Sequence, residues 1–325
     1  MAGRARAQVI SRLFSALLGV VAAIGVTHAQ YPARPVKVVI PFPPGGPTDV
    51  VGRLLAQKMA DSTGQGFVIE NRAGGNATIG ANEVAKSAAD GYTLLFNANI
   101  FTITPLISKS VPYDVQRDFT AVALVAKGPI ALAVSLSVPA KNVSELIAHA
   151  KANPGKLAFA IGSNGSAGHL ATEMLKRAAG IDLLVVPYKG STPAYQDLIG
   201  GQIQGFMDPV LGAQPHWKSA RVKVLAVTSA RRLPSAPDTP TVSETLPGYE
   251  IYAWYGLWGP ANLPKEVTQK LNTEVNKALG TDLRQRLLDQ GYELSAASSE
   301  DFAKFQREDI ARSAKIVADA AIKTE

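Results

Sequence analysis

Cysteine is absent from all 325 positions, which removes disulfide bridges, thiolate metal sites and a thiol for lipid attachment. Histidine is almost as scarce. There are four, and His149, His169 and His216, the three beyond residue 30, lack the spacing of metal ligands. Charge is sparse too: only 18% of residues are charged, and no basic run exceeds a pair such as Arg231-Arg232. Phosphate backbones require a concentrated basic face, so nucleic acid is excluded as a partner. Past residue 26 no apolar stretch approaches the roughly 18 residues of a membrane span. No internal repeat or low-complexity linker divides the chain. What is present, 46% apolar residues, describes a compact globular protein.

The apolar run at 13–26 stands behind Arg4, Arg6 and Arg12 and ahead of Thr27-His28-Ala29. A positive start, a short apolar core and small residues at its end read as a secretory signal peptide, with cleavage expected after Ala29. The other reading, an uncleaved anchor, needs a longer span. Ala5 separates Arg4 from Arg6, which points to general secretion. Cleavage removes three arginines and no acid, so the net charge falls from +7 to +4. A mildly basic envelope favours acidic solutes.

Beyond the leader, strand-like and helix-like segments alternate. Strands are expected at 36–40, 67–69, 93–96, 121–124, 130–134, 157–160, 184–186, 205–207 and 222–227. Amphipathic helices are expected near 49–61, 76–87, 143–152, 167–179 and 193–200, with Gly64, Gly180 and Gly200-Gly201 at their ends. After an aromatic stretch at 249–259 come helices at 264–279, 282–290 and 299–321, with a short strand at 292–294. This alternation makes an α/β protein with parallel or mixed sheets. The best seams are 126–130 and 249–259. They divide the chain into residues 1–29, a discontinuous first domain of 30–128 plus 253–325, and a second domain of 129–252. Two crossings between domains form a hinge, and the crevice between them is the natural ligand site.

Four Gly/Ser/Thr-rich loops precede expected helices. The first, Pro41-Phe42-Pro43-Pro44-Gly45-Gly46-Pro47-Thr48-Asp49, has two glycines that free the backbone for close approach and four prolines that stiffen it. Thr48 is expected to cap the following helix. The second loop is 74–80, the third is 162–168, and the fourth is Lys189-Gly190-Ser191-Thr192-Pro193, where Thr192 is expected to cap. Helix N-termini carry about half an elementary positive charge each, so several aimed at one crevice hold a carboxylate without arginine. Taken singly, each loop reads as a simple turn, and the argument rests on the four together.

Single residues carry two readings each. Phe42 either caps a ligand or packs beside its strand. Asn97 either donates to a ligand or closes a turn. Asp208 either accepts from a ligand amine or hydroxyl or caps a local turn. Asp49 is read as structural, Glu173 and Arg177 as a surface i,i+4 pair, His169 as a packed polar residue, and Trp254 and Trp258 as seam packing. Catalytic signatures fail on particular residues. Neither Ser163 nor Ser166 has the glycine two positions earlier that a nucleophile elbow needs. Gly155-Lys156 lacks the hydroxyl residue of a P-loop. Gly162, Gly165 and Gly168 follow a period of three, which is not dinucleotide-binding spacing. The chain is read as a non-enzyme.

Five segments, "PFPPGGPTD", "ENRAGGNATIGANEVAKSAADGYTLL", "GSNGSAGHLATEML", "VPYKGSTPAYQDLIGGQI" and "GLWGPANLP", occur in that order. Together they resemble the substrate-binding proteins of tripartite tricarboxylate transporters, the Bug-type receptors, over essentially the whole mature chain. The resemblance implies a two-domain periplasmic-binding-protein fold, type II-like, closing on a small carboxylate or amino-acid-like ligand. It also implies delivery to a large and a small membrane permease subunit, a monomer, and no cofactor or metal. By the same resemblance Phe42, Gly45, Gly46 and Thr48 form the ligand-facing loop of the first domain, and Ser163, Ser166 and His169 lie opposite. Tyr188, Gly190, Thr192 and Asp208 complete the second domain's share, and Thr78 and Asn97 come from the first. Gly75 stands where the family commonly has alanine, and Asn97 lies in a segment that varies. Two other roles remain open: presenting ligand to a membrane sensor, and hydrolysis through Ser166 or Ser163.

Overall fold

The computed structural model describes residues 31–294, 296–320 and 322; the leader and its cleavage site lie outside them. Val36–Ile40 (β1) is interior and apolar except for the half-buried Lys37. It pairs in parallel with Phe67–Asn71 (β2) on one side and Thr93–Ala98 (β3) on the other. Helices Pro47–Thr63 (α1), Thr78–Ala85 (α2) and Ile100–Ile107 (α3) follow these three strands. The pattern repeats after Phe119–Val134 (β4) and Val143–Ala152 (α4). Ala158–Ile161 (β5) leads into Ala167–Ala179 (α5), Leu184–Pro187 (β6) into Ser191–Ile199 (α6), and Gly205–Pro209 (β7) into Val210–Lys218 (α7). Lys223–Val227 (β8), Tyr252–Pro260 (β9), Lys265–Ala278 (α8), Asp282–Leu288 (α9) and Ser299–Asp319 (α10) complete the chain.

The described strands form one path, β2-β1-β3-β9-β4-β7-β5-β6, with β8 also on β4. Each end of the path is a parallel trio, and the antiparallel strands β9 and β4 join the trios. The two-lobed α/β periplasmic-binding-protein architecture follows from this order. β4 is the strand that changes lobe: 119–129 pair with β9, and 130–134 pair with β7 and β8. Thr228, fully buried, fastens the change of partner. Its Oγ1 accepts from the Ile130 amide at 2.9 Å and donates to the Ile251 carbonyl at 2.6 Å, while its own amide donates to the Ile130 carbonyl at 2.9 Å.

Trp254 and Trp258, both on β9 and fully buried, pack with Phe101, Phe119 and Phe302 in the first lobe. Their indole N–H groups donate to Asp309 Oδ2 at 2.9 Å and Gln306 Oε1 at 2.7 Å, which pins α10 to the sheet. A buried indole needs such an acceptor.

Several local expectations are corrected. The segments 121–124 and 130–134 are one continuous strand, because Gly128-Pro129 pair with β9 and do not turn. A Cβ on Gly128 would lie 2.5 Å from the Tyr292 ring, so glycine is needed there. Residues 292–294 form a single bridge, Glu293 to Lys127, in place of a strand. Glu173 pairs with Lys176, not with Arg177. Helices α3 and α7 were not expected.

Candidate functional site

The first loop is held from beneath by Asp49. Its Oδ2 accepts from the Gly45 amide at 3.0 Å and from Arg53 Nε at 2.9 Å, and its Oδ1 accepts from Asn71 Nδ2 at 2.8 Å. Asn71 also donates to the Phe42 carbonyl at 3.0 Å. Burial alone pushes the Asp49 carboxyl up, but the hydrogen bonds from Arg53, Asn71 and Gly45 outweigh it and hold the group below its ordinary value. Gly45, at φ +88, makes the turn that places these donors. The helix then begins with Gly46 at the N-cap and Pro47 inside the first turn. Thr48 is therefore not the cap: proline's fixed φ suits the first helical position and moves the start two residues earlier. The start of α6 moves in the same way, with Gly190 at the N-cap in place of Thr192.

Opposite, Ser166 caps α5 by accepting from the His169 amide at 3.2 Å. His169 Nδ1 accepts from the Gly165 amide at 3.0 Å, which leaves the proton of the neutral ring on Nε2. Burial lowers the pKa of this imidazole. Ser163 Oγ donates to the Gly162 carbonyl at 2.6 Å, and the Gly190 amide donates to the same carbonyl at 2.8 Å. Neither serine is bonded to the imidazole, so the described geometry contains no serine–histidine relay. Gly168 is required by packing, since a Cβ there would fall 2.0 Å from the Met207 carbonyl oxygen.

These loops enclose a cleft of about 700 Å³, open mouth included. The N-cap residues of five helices line it: Gly46 of α1, Asn99 of α3, Ser166 of α5, Gly190 of α6 and Pro209 of α7. The first N–H groups of a helix have no intrahelical acceptor, and here they converge from both lobes. Much of the remaining wall is apolar, with Phe42, Ile100, Ala167, Met207 and Tyr255 among its residues. Lys189 is the cation on the wall and Asp208 the acid. The lobes touch around the cleft. A Cβ on Gly190 would lie 3.8 Å from Pro43 Cδ, one on Gly45 would lie 4.0 Å from Thr192 Oγ1, and one on Gly212 would lie 3.0 Å from Pro47 Cγ.

Of the residues singled out in the sequence, Phe42, Gly46, Thr48, Ser163, Ser166, Gly190, Thr192 and Asp208 line the cleft. Gly45 faces a neighbouring groove. Thr78 is half-buried at the start of α2, with its hydroxyl bonded to the Gly75 carbonyl at 2.6 Å, so the second loop contributes no wall. Asn97 is fully buried beneath the floor, and its Oδ1 accepts from the Ala98 amide. His169 is spent on the Gly165 turn, and Tyr188 donates to Asp197 Oδ2 at 2.6 Å. The sequence reading missed Asn99, Ser191 and Tyr255. Asn before the apolar stretch 100–107 was the available signal for Asn99, a cap signature lost because that stretch has no amphipathic period.

A family model described as "Tripartite tricarboxylate transporter family receptor" matches residues 51–322. Among solved structures, an R. palustris protein with adipate is 36% identical with a TM-score of 0.88, over 90% of this chain and 99% of that one. The periplasmic binding protein BugD is 34% identical with a TM-score of 0.87, over 91% and 100% of the two chains. MatC from Rhodopseudomonas palustris with bound malate is 34% identical with a TM-score of 0.83, over 88% and 100%.

Proposed function

The chain belongs to the tripartite tricarboxylate transporter receptor family, and from that premise we propose that its cleft captures a small dicarboxylate for delivery to membrane permease subunits. One observation carries the proposal: five helix N-caps from both lobes converge on one cavity that has a single exposed cation, Lys189, and no arginine on its wall. Free amide groups at the starts of α1, α5 and α6, with the hydroxyls of Thr48, Ser163, Ser166 and Thr192, are matched to carboxylate oxygens directly or through bridging water. The apolar wall formed by Phe42, Ile100 and Met207 suits the short carbon chain between two such groups. The solved relatives with adipate and with malate hold ligands of this class. One chain supplies every wall of the cleft, so no second copy is required. Lobe closure then adds its free energy to the affinity.

Family receptors work in the periplasm, and the leader at 1–29 fits export with cleavage after Ala29. Protein recovered from a periplasmic extract should have the mass of a chain starting at Gln30; an intact N-terminus would overturn the cleavage site. Protein refolded free of ligand then tests the main reading in a thermal-shift screen of mono-, di- and tricarboxylates, acidic amino acids and aromatic acids. Ligand at 100 times its Kd stabilises the folded state by about 2.7 kcal/mol, a rise of a few degrees at this size. Malate or adipate should give that rise. Folded protein that shifts with none of these acids would overturn the carboxylate assignment.

A further inference from the structure

We propose that a carboxylate ligand enters this cleft together with one proton from solvent, which comes to reside on the carboxyl group of Asp208. The inference rests on the carboxylate reading above and adds a charge requirement to it. Asp208, next to last in β7, lies on the cleft wall and is 4% exposed. Its Oδ1 accepts from Ser191 Oγ at 2.7 Å, and its Oδ2 has no hydrogen-bond partner among the described residues.

The groups around it are neutral on every side. From α6 come the Ser191 and Tyr195 hydroxyls, from β9 Tyr255, and from the segment before α10 Tyr292. Gly212 of α7 and Pro47 of α1 close the remaining sides: a Cβ on Gly212 would lie 2.1 Å from Oδ2 and 3.0 Å from Pro47 Cγ. The Tyr195 hydroxyl adds a weak pull toward the ionised form, although its geometry falls outside a hydrogen bond. His216 lies tilted against the Tyr195 ring, centroids 4.4 Å apart, and is itself bonded to Arg221. Lys189 sits on the exposed part of the same wall and forms no ion pair among the described residues.

A ligand carboxylate in this cavity would therefore stand beside a second buried carboxylate with no cation between them. Two such charges in a low-dielectric site do not ionise together, and the weaker acid keeps the proton. With the lobes arranged as here, burial already lifts the Asp208 carboxyl to about 7, well above a ligand carboxyl exposed to helix N-termini. Asp208 is thus the group that protonates, and no bond other than its O–H is made or broken.

The experiment is titration calorimetry of the refolded protein with adipate and with malate from pH 6.5 to 9, where both ligands stay fully ionised. Between the carboxyl pKa of the free protein and that of the complex, Kd should rise about tenfold per pH unit. At pH 8 the measured enthalpy should vary with the ionisation enthalpy of the buffer by about one proton taken up per ligand bound. Asp208→Asn keeps an oxygen for Ser191 and should bind with a flat pH profile and no buffer dependence. A flat profile in the natural protein, or an unchanged slope in the Asn variant, would overturn the inference. Absence of binding by every carboxylate overturns the ligand class itself, a result distinct from binding without a slope. If the variant fails to fold, the buffer dependence of the natural protein still decides whether a proton is taken up.

Discussion

Asp49 and Asp208 are both buried carboxyl groups beside one cleft, and their surroundings move them in opposite directions. Asp49 has an arginine, an asparagine and a backbone amide as donors. Its pKa is lowered on folding, so the stability it contributes is present above its unfolded value near 3.8 and is lost as pH falls through the folded value. Asp208 has one hydroxyl donor and is raised to about 7. Its ionisation therefore costs stability progressively as pH rises from its unfolded value to about 7, reaching on the order of 4 kcal/mol above that. Urea unfolding of Asp208→Asn should show a gain relative to the natural protein that is several kcal/mol larger at pH 8 than at pH 4. An equal difference at the two pH values would mean that folding leaves the Asp208 carboxyl at its ordinary value. The position of Asp208 after an apolar strand was legible in the sequence. The missing partner of its Oδ2 was not, because that depends on Gly212, Tyr195 and Pro47 arriving from three other elements.

Helix ends were readable where the chemistry is local. In the structure Ser166, directly before the run 167–179, caps that helix with its own side chain, a signal local to the sequence. Thr48 and Thr192 looked equally suited, but Pro47 and the left-handed Gly190, at φ +96, set the helix starts instead. Helices α3 and α7 were hidden for a different reason. The first, Ile-Phe-Thr-Ile-Thr-Pro-Leu-Ile, is apolar nearly all round, and the second contains Gly212 and Pro215. Both read as breaks in a local pattern and are held by burial against the sheet. Because Ser166 both caps α5 and lines the cleft, its two roles need separate variants. Ser166→Ala should cost about 1 kcal/mol of stability through the lost cap and should also weaken carboxylate binding. Ser166→Asp should restore the cap and the stability, since Asp caps as well as Ser does. It should also bind a dicarboxylate more weakly than Ser166→Ala, because it sets a negative charge on the wall. If the Asp variant regains affinity along with stability, Ser166 acts on the ligand only through its helix.

At the scale of the molecule, the lobes are joined where β4 and β9 pass between the two halves of the sheet, and Thr228 ties both strands at that level. The sequence suggested seams at 126–130 and, from its aromatic stretch, at 249–259. It held no sign of Thr228, whose partners are 98 and 23 residues away. In the structure the lobes touch around the cleft, so the bonds of Thr228 belong to this closed arrangement. Thr228→Val keeps the shape but leaves the Ile130 amide and the Ile251 carbonyl without the side-chain partner, at a cost of about 1–3 kcal/mol for buried groups. Opening the lobes relieves part of that cost by admitting water to the strand ends, so the substitution favours the open form. Affinity for a ligand that needs the closed form falls by the fraction of closed protein lost. Thr228→Val should therefore raise Kd several-fold, mainly through faster dissociation, although no atom of Thr228 lines the cleft. Thr228→Ser, which keeps the hydroxyl, should restore most of the affinity. A Val variant that loses stability while Kd and dissociation rate stay unchanged would show that the clasp is equally intact in open and closed forms, and the hinge would then have to lie elsewhere along β4 and β9.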